Sequence, residues 1–364
     1  MTDSNVFMKF KQCLSRVDAT WIKRNRVMNT FNLVESVASS KLQSCGLRQC
    51  SKKGSIPASA SAVVRARHRV SPVELSNCLR RFVDSVRTDA TSPRIFAIDT
   101  SKLSLPNCFR DSGVMPRNEA ATKPLLMCST LFDVKYDVPY HSNTLLHHNE
   151  RRALLETHFS ILRSGDLVIG DRGYYSHEVC SKLQSINVDI LFRVKDAASS
   201  SILNFVRSRR NERIINQNGV GLKCFKYTKE GVRYVLVTSR IHMSLDKARA
   251  LYTSRWRIEE GFRRWKSDFR LTQHTPRALH ALNVDIQCVS LSHALTRVMV
   301  DGHAVYSAEF LKHNVWFECM HLPAFKAYAT ELFVEHALHS QVASVCIEID
   351  VDRVSRRWFS ETRR

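Results

Sequence analysis

Four polar side chains recur at helical spacing in the segment LYTSRWRIEEGFRRWK. They are Tyr252, Arg255, Glu259 and Lys266. At about 100° per residue these four share one narrow stripe of a helix, beside an apolar stripe that can dock on a sheet. Glu260 projects away from the polar stripe, so the geometry favours Glu259 as the carboxylate that faces a site. A carboxylate, two cations and a phenol in one stripe can bind phosphate groups and a hard metal ion.

Two further acidic residues follow apolar runs that are typical of buried strands. Asp99 ends the run RIFAID, and Asp171 comes directly after residues 167–170. From residue 94 the predicted order is three strands, a helix, a strand, a helix and a strand. This is the plan of a ribonuclease-H core, in which the first and fourth strands are neighbours. We therefore expect Asp99 and Asp171 to end adjacent strands about 5 Å apart.

The predicted fold class is α/β: a ribonuclease-H-like mixed sheet with helices, interrupted by a β-strand insertion and flanked by helical N- and C-terminal regions. A hairpin is expected to turn near Glu230 and Gly231. The predicted regions are a basic, mainly helical DNA-binding region with a Ser-rich linker (1–90), the first part of the core (91–195), the insertion (196–248), the second part of the core with the catalytic helix (249–300) and a helical C-terminal region (301–364).

Finer elements are predicted as well. Serine, glycine and proline content favours a loop over residues 36–61, whereas the spacing of apolar residues predicts helices over 149–162, 244–271 and 278–300. The basic stretch that begins at residue 207 is interpreted as a polar segment before the hairpin. Trp256 and Trp265 are expected to pack in the core.

The chain is strongly basic, with 55 Lys and Arg against 34 Asp and Glu and a formal net charge of +21. Such a surplus points to a polyanionic partner, and nucleic acid is the leading candidate. Arg65, Arg67 and Arg69 fit either DNA contacts or a solvated surface strip. With 44% hydrophobic and 24% charged residues the chain is expected to be globular.

No apolar run reaches membrane-spanning length, so we expect no contact with a membrane. The opening residues lack the pattern of a secretory signal. Eleven cysteines show no paired zinc-ligand spacing and are expected to be reduced thiols. The expected location is therefore the cytoplasm, associated with the nucleoid, in a bacterial host, or the nucleus in a eukaryotic one.

The tetrad spacing resembles the YREK signature of cut-and-paste DDE transposases of bacterial insertion sequences, the insertion-sequence-four group. Two further motifs are similar to that family's acidic motifs: GDRGYYS around Asp171 and, more weakly, AIDTSKLSLP around Asp99. The resemblance extends over about residues 94–300. It implies a DNA transposase that cuts at transposon ends and joins them to target DNA.

Site roles follow from the resemblance position by position. Asp99, Asp171 and Glu259 become the catalytic, metal-binding triad for two Mg²⁺ ions, with Mn²⁺ as a substitute. The implied DNA-binding residues are Tyr252, Arg255, Lys266, Arg172 and Tyr234. Tyr234 takes the place of the aromatic residue on which an extruded base stacks. The implied partners are double-stranded DNA and, in the synaptic complex, a second copy of the chain as a homodimer.

Two alternatives remain open at this point. The chain could be a catalytically inactive, transposase-derived DNA-binding protein, or another ribonuclease-H-like nuclease. Only an active enzyme would cleave DNA in a metal-dependent way.

Overall fold

The computed structural model describes residues 3–23, 28–43, 45–88, 92–116, 121–217, 219–273 and 276–301. The helices of the N-terminal part are α1 (Asp3–Trp21), α2 (Thr30–Leu42), α3 (Leu47–Lys52), α4 (Ala60–Arg69) and α5 (Pro72–Val86). The strands are β1 (Ile95–Ser104), β2 (Leu125–Asp133), β3 (Val138–Leu145), β4 (Leu167–Gly170), β5 (Asp189–Arg193), β6 (Glu212–Gln217), β7 (Val220–Lys229) and β8 (Val232–Thr238). The remaining helices are α6 (Glu150–Ala153), α7 (His177–Ser185), α8 (Ser200–Arg207), α9 (Leu245–Ser254), α10 (Trp256–Ser267) and α11 (Leu279–Asp301).

All eight of these strands form one mixed sheet in the order β3-β2-β1-β4-β5-β8-β7-β6. β1, β4 and β5 run parallel at its centre, and the outer strands pair antiparallel. The predicted mixed sheet and the predicted contact between its first and fourth strands are therefore confirmed.

The strand insertion extends this sheet, because β8 pairs with the core strand β5. The predicted hairpin is confirmed: β7 and β8 pair up to Lys229 and Val232, and Glu230 and Gly231 turn with φ of 51° and 74°. Two consecutive positive φ values suit a tight two-residue turn between twisted strands. Two elements were not predicted: α8 ends where the basic stretch begins, and β6 lies within the stretch that was interpreted as a polar segment.

The two faces of the sheet carry different helices. Leu167 and Ile169 of β4 belong to one apolar cluster with Tyr252 of α9. The alternate residue Val168 belongs to the large cluster that also contains Val179 of α7. Because successive strand residues point to opposite faces, α9 covers one face and α7 the other.

The loop predicted over residues 36–61 is wrong in part, since α2 and α3 occupy much of it. Ser36 and Ser40 are buried, and their hydroxyls donate to the carbonyls of Asn32 and Cys45. A small side chain whose hydroxyl bonds to nearby backbone packs without leaving a polar group unsatisfied. Arg67 is also buried and pairs with Asp285 of α11, so it is neither a DNA contact nor solvated surface.

The helix predicted over residues 244–271 is two helices, α9 and α10, that meet at Arg255. Arg255 N–H bonds to the Tyr252 carbonyl and Ile258 N–H to the Arg255 carbonyl, so the junction is wound one residue tighter than an α-helix. Ser254 and Thr253 bond back to carbonyls of the preceding turn, a pattern that bends helices.

The helix predicted over residues 149–162 is confirmed only at its start. After α6 the chain widens into a π-helical turn, Leu154–His158, and then tightens into a 3₁₀ turn, Phe159–Ile161. Among the described residues, no helix has both the length and the apolar character needed to cross a membrane. The predicted C-terminal helical region, 301–364, lies almost wholly outside the described residues, and the predicted domain boundaries stay a prediction.

Candidate active site

Two carboxylates lie level with each other on the neighbouring parallel strands β1 and β4. The strands pair Ala97 with Ile169, and two more residues in the same register set Asp99 beside Asp171. Asp171 follows β4 directly, as predicted. Asp99 does not end its strand, which corrects the prediction: β1 continues to Ser104 because β2 pairs with it over that length.

Side chains around the junction of α9 and α10 meet these two carboxylates. The Arg255 Nη1 atom lies 3.8 Å from Asp99 Oδ2, and its Nη2 atom lies 2.5 Å from Glu259 Oε1. The Tyr252 hydroxyl donates to Asp171 Oδ1 at 3.2 Å. The structure thus brings five of the predicted site residues into one network of contacts near the carboxyl end of the central strand β4.

The choice between the two adjacent glutamates agrees with this geometry. Glu260 pairs with Arg263 further along α10, whereas Glu259 pairs with Arg255, which also lies near Asp99. Lys266 is exposed about two turns after Glu259 in the same helix. None of the described carboxylates forms an ion pair with it. The predicted contact between Lys266 and DNA therefore stays a prediction.

The electrostatics of the cluster favour a cation. Burial raises the pKa of Asp99 to about 6, and the negative charges of Glu259 and Glu150 act in the same direction. The Thr100 backbone N–H and Arg255 oppose this rise. Burial alone would lower the pKa of Arg255, but the neighbouring tyrosine and carboxylates raise it, so the guanidinium stays charged. The single arginine does not neutralise all the acidic groups around it.

Glu150 is a site residue that sequence reasoning missed. It lies in the first turn of α6, and the Thr100 hydroxyl donates to its Oε1 atom at 3.4 Å. Its Oε2 atom lies against Gly173, where an added Cβ would come within 1.6 Å of it. Glu150 thus sits between the residue after Asp99 and the turn after Asp171. A carboxylate placed by a long connection, far from any motif, gives no signal in a single sequence.

Tyr234 lies near the cluster, but both faces of its ring are covered. The Tyr227 ring stacks on it at a centroid distance of 5.2 Å, and the Arg193 guanidinium lies 4.1 Å from its centroid. A base could stack on Tyr234 only after one of these neighbours moved, and the stacking role of Tyr234 stays a prediction. Arg193 ends β5, next to β4, and is a second cation of the site that the sequence analysis missed.

The two tryptophans that were expected in the core have contrasting surroundings. Trp256 is 64% exposed, so its predicted core packing is wrong: it begins α10 just past the junction and projects from the sheet. Trp265 is buried and its indole N–H donates to His293, as expected of a core residue. Arg172 follows Asp171 and is exposed.

The donor set suits a hard divalent ion in its chemistry. Carboxylate oxygens are the ligands that Mg²⁺ and Mn²⁺ prefer. Burial is the main cause of the raised pKa of Asp99, and the charges of Glu259 and Glu150 add to it. In the part of the chain that the structure describes, no three acidic, histidine or cysteine side chains are grouped closely enough to ligate one ion. The Arg255 guanidinium bridges Asp99 and Glu259 instead.

Comparison with known proteins agrees with this architecture. The cryo-EM structure of a piggyBac transposase synaptic complex with hairpin DNA is similar in fold, with a TM-score of 0.51 and 11% sequence identity, over 97% of this chain and 87% of that one. No curated protein sequence matches the chain. Residues 92–295 match the family described as Transposase DDE domain. Because this match spans more than half of the 364 residues, the chain belongs to the transposase DDE domain family.

Proposed function

We propose that this DNA transposase cuts at transposon ends and joins them to target DNA by a cut-and-paste route, with Asp99, Asp171 and Glu259 as its catalytic carboxylates. One observation carries the proposal. Asp99 and Asp171 share a register level on parallel strands, and Arg255 ties Glu259 to Asp99. Three acidic residues distant in sequence thus belong to one contact network at an accessible edge.

Transposases of the DDE family use divalent metal ions. We propose that the three carboxylates of this chain hold two Mg²⁺ ions, with Mn²⁺ as a substitute. When bound, such ions offset charge on the scissile phosphate and activate the attacking oxygen. Arg255 would then release one or both carboxylates to the ions, and its planar guanidinium would be free to bind a phosphate of the DNA.

The cations of the cluster define where a DNA strand would lie. Arg193 is held by stacking on Tyr234, and Arg255 lies over the ring of Tyr252, with a guanidinium-to-centroid distance of 5.4 Å. A cation that is fixed by an aromatic ring loses little conformational entropy when it binds a phosphate. Lys266, further along α10, would contact the same strand as a point charge.

Finer assignments rest on the motifs. The YREK spacing supports membership of the insertion-sequence-four group, and the joining of two transposon ends supports a homodimer in the synaptic complex. The basic N-terminal region, residues 1–90, would add non-specific DNA contacts. The expected location is the nucleoid-associated cytoplasm of a bacterial host or the nucleus of a eukaryotic one.

The test compares the purified wild type with Asp171→Asn and Glu259→Gln on a duplex that carries a transposon end, with Mg²⁺. We expect both variants to bind the duplex and neither to cut it. Glu260→Gln is the matched control, because it removes the same charge from the adjacent position, and it should cut like the wild type. Undiminished cleavage by either test variant would reject the triad. Binding without cleavage by the wild type would favour the inactive DNA-binding alternative, and a preference for RNA hybrids or four-way junctions would favour another ribonuclease-H-like nuclease.

A further inference from the structure

An open cavity of about 420 Å³ lies on the α7 side of the sheet, beside the turn that follows Asp171. Its wall includes the basic residues Arg151, Arg172 and Lys195 and the polar residues Ser176, His177 and Gln217. The cavity begins where β4 and β5 end and where α7 starts. It is therefore adjacent to the carboxylate cluster but opposite the face that α9 covers.

The three basic side chains differ from two neighbouring surface cations, which are paired. Nearby, Arg152 pairs with Glu156, and Lys182 pairs with Glu178. No carboxylate of the described residues forms an ion pair with any of the three that line the cavity, and the cavity wall contains no acidic residue. Like charges that converge without a counter-ion repel one another, and an anion in the cavity would relieve that repulsion.

The cavity is also built to hold its shape. Arg151 Nε donates to the Gly173 carbonyl at 3.1 Å, which leaves both terminal nitrogens of its guanidinium available. The Tyr175 hydroxyl bonds to Gln217 and closes the far wall. The N-terminus of α7, capped by Ser176, adds the positive end of a helix dipole to the same space.

We propose that this cavity binds a backbone phosphate of a DNA strand that passes the active site on the α7 side. The inference rests on the proposed function, because it places a second strand contact next to the cutting site. Two or three guanidinium and ammonium groups around one phosphate are the usual chemistry of backbone recognition, which positions DNA without reading its sequence. The strand could belong to the transposon end or to the target, since both carry the same phosphodiester.

The test measures DNA affinity as a function of salt for the double variant Arg151→Gln/Lys195→Gln. The matched control is Arg152→Gln/Lys182→Gln, which removes the same charge from cations that are already paired. The slope of log K against log salt is negative, and each lost phosphate contact makes it shallower by about 0.9. We expect the slope of the cavity variant to become shallower by about 1. Its affinity for DNA near 0.1 M salt should fall by about 5- to 10-fold, with little change in the control.

Equal losses in the two double variants would overturn the proposal, because they would show only a general effect of net charge. Lys195→Gln alone guards against misfolding, since Lys195 is exposed and should retain the wild-type fold while losing part of the affinity. Cleavage of a transposon end by the wild type in the same preparation separates the two proposals. If the wild type cuts and the two double variants lose equal affinity, only the cavity proposal is rejected. If the wild type does not cut and the cavity variant loses more affinity than the control, only the proposed function is rejected.

Two duplexes identify the source of the phosphate. One is a pre-cut transposon end, and the other is a duplex of unrelated sequence that serves as target. A loss of affinity confined to the first duplex assigns the cavity to the transposon end, and a loss of affinity confined to the second assigns it to the target. An unchanged affinity for both duplexes would overturn the proposal.

Discussion

Two clusters with shifted pKa values lie on opposite faces of the same strands. Asp99 of β1 pairs with Thr130 of β2 and joins the carboxylate cluster under α9 and α10, whereas the next pair along places Ser129 on the other face. There the Ser129 hydroxyl contacts His158 Nε2 at 3.0 Å, and the Nδ1 atoms of His158 and His141 lie 2.8 Å apart. Burial lowers the pKa of His141 to about 3 and raises that of Asp99 to about 6.

The shifts have one physical cause but different meanings. His158 is fully buried, and both of its ring nitrogens have partners inside the protein. The Asp99 side chain is 23% exposed, and its neighbours include more acidic groups than Arg255 alone can balance. A shifted pKa therefore indicates function only where solvent reaches the group and its charge is not fully compensated. We therefore interpret the imidazole pair as a structural element, and the carboxylate cluster is the proposed reactive site.

Asp99→Asn is expected to have the largest effect, and it tests whether the carboxylate cluster differs from the imidazole pair in being catalytic. If Asp99 is a catalytic carboxylate, cleavage of a transposon end should fall by about 10³-fold or more. The free energy of unfolding should stay the same or rise, because the substitution removes a partly buried charge from a crowded acidic cluster. Gel-based cleavage and urea titration of one preparation measure both quantities. A large loss of stability with retained cleavage would reverse the two assignments.

The opposite result is expected for His141→Leu. It leaves the buried His158 ring without one of its partners, which should lower the free energy of unfolding by about 1–3 kcal/mol. Cleavage per folded molecule should not change. His147→Gln is the control, since His147 is partly exposed and pairs with the exposed Glu156. An equally large loss of stability in His147→Gln would contradict this prediction, because it would show that burial of the imidazole is not the cause.

Acid should act on the imidazole pair in a defined direction. The folded-state pKa of His141, about 3, lies below its ordinary value of 6.5, so between these limits the unfolded chain binds more protons than the folded one. The free energy of unfolding should therefore fall as the pH is lowered from 6.5 toward 3, by about 1–2 kcal/mol for this imidazole between pH 6.5 and 5. Urea midpoints across this range should show a shallower slope for His141→Leu, and parallel slopes would contradict the prediction.

The smallest effect is expected for Gly173→Ala. A Cβ at this position would lie 1.6 Å from Glu150 Oε2, so the end of the Glu150 side chain must move. Because that end is flexible, stability should change by less than about 1 kcal/mol, but cleavage should fall about 3- to 10-fold as the support of the Asp171 turn is lost. Gly221→Ala places its Cβ in open space and is the control. Equal cleavage by the two variants would remove Glu150 from the site.

Much of the fold could be predicted from sequence because local patterns dominate it. The strand β4, the Ser176-capped helix α7 and the hairpin turn at Glu230 and Gly231 follow from apolar runs, a cap and a turn signal. The tight junction at Arg255 could not be predicted, because no glycine or proline marks it. The helix α2 was missed because buried serines look like linker residues until their backbone partners are known.

The site divides in the same way. Tyr252, Arg255 and Glu259 are one segment, so their spacing predicted their meeting. Glu150 and Arg193 reach the site only through the packing of distant elements, which no local pattern encodes. The exposed indole of Trp256 was mistaken for core because helical periodicity cannot show where a helix bends.

The continuity of the eight-stranded sheet has a mechanical consequence. The ladder that contains Asp99 runs without interruption through β4 and β5 to the strand of Tyr234. Amide protons across this span should exchange slowly with deuterium and as one cooperative unit. A rearrangement that admits a substrate would then involve the two helices α9 and α10, which can move about their junction at Arg255 while the sheet stays rigid.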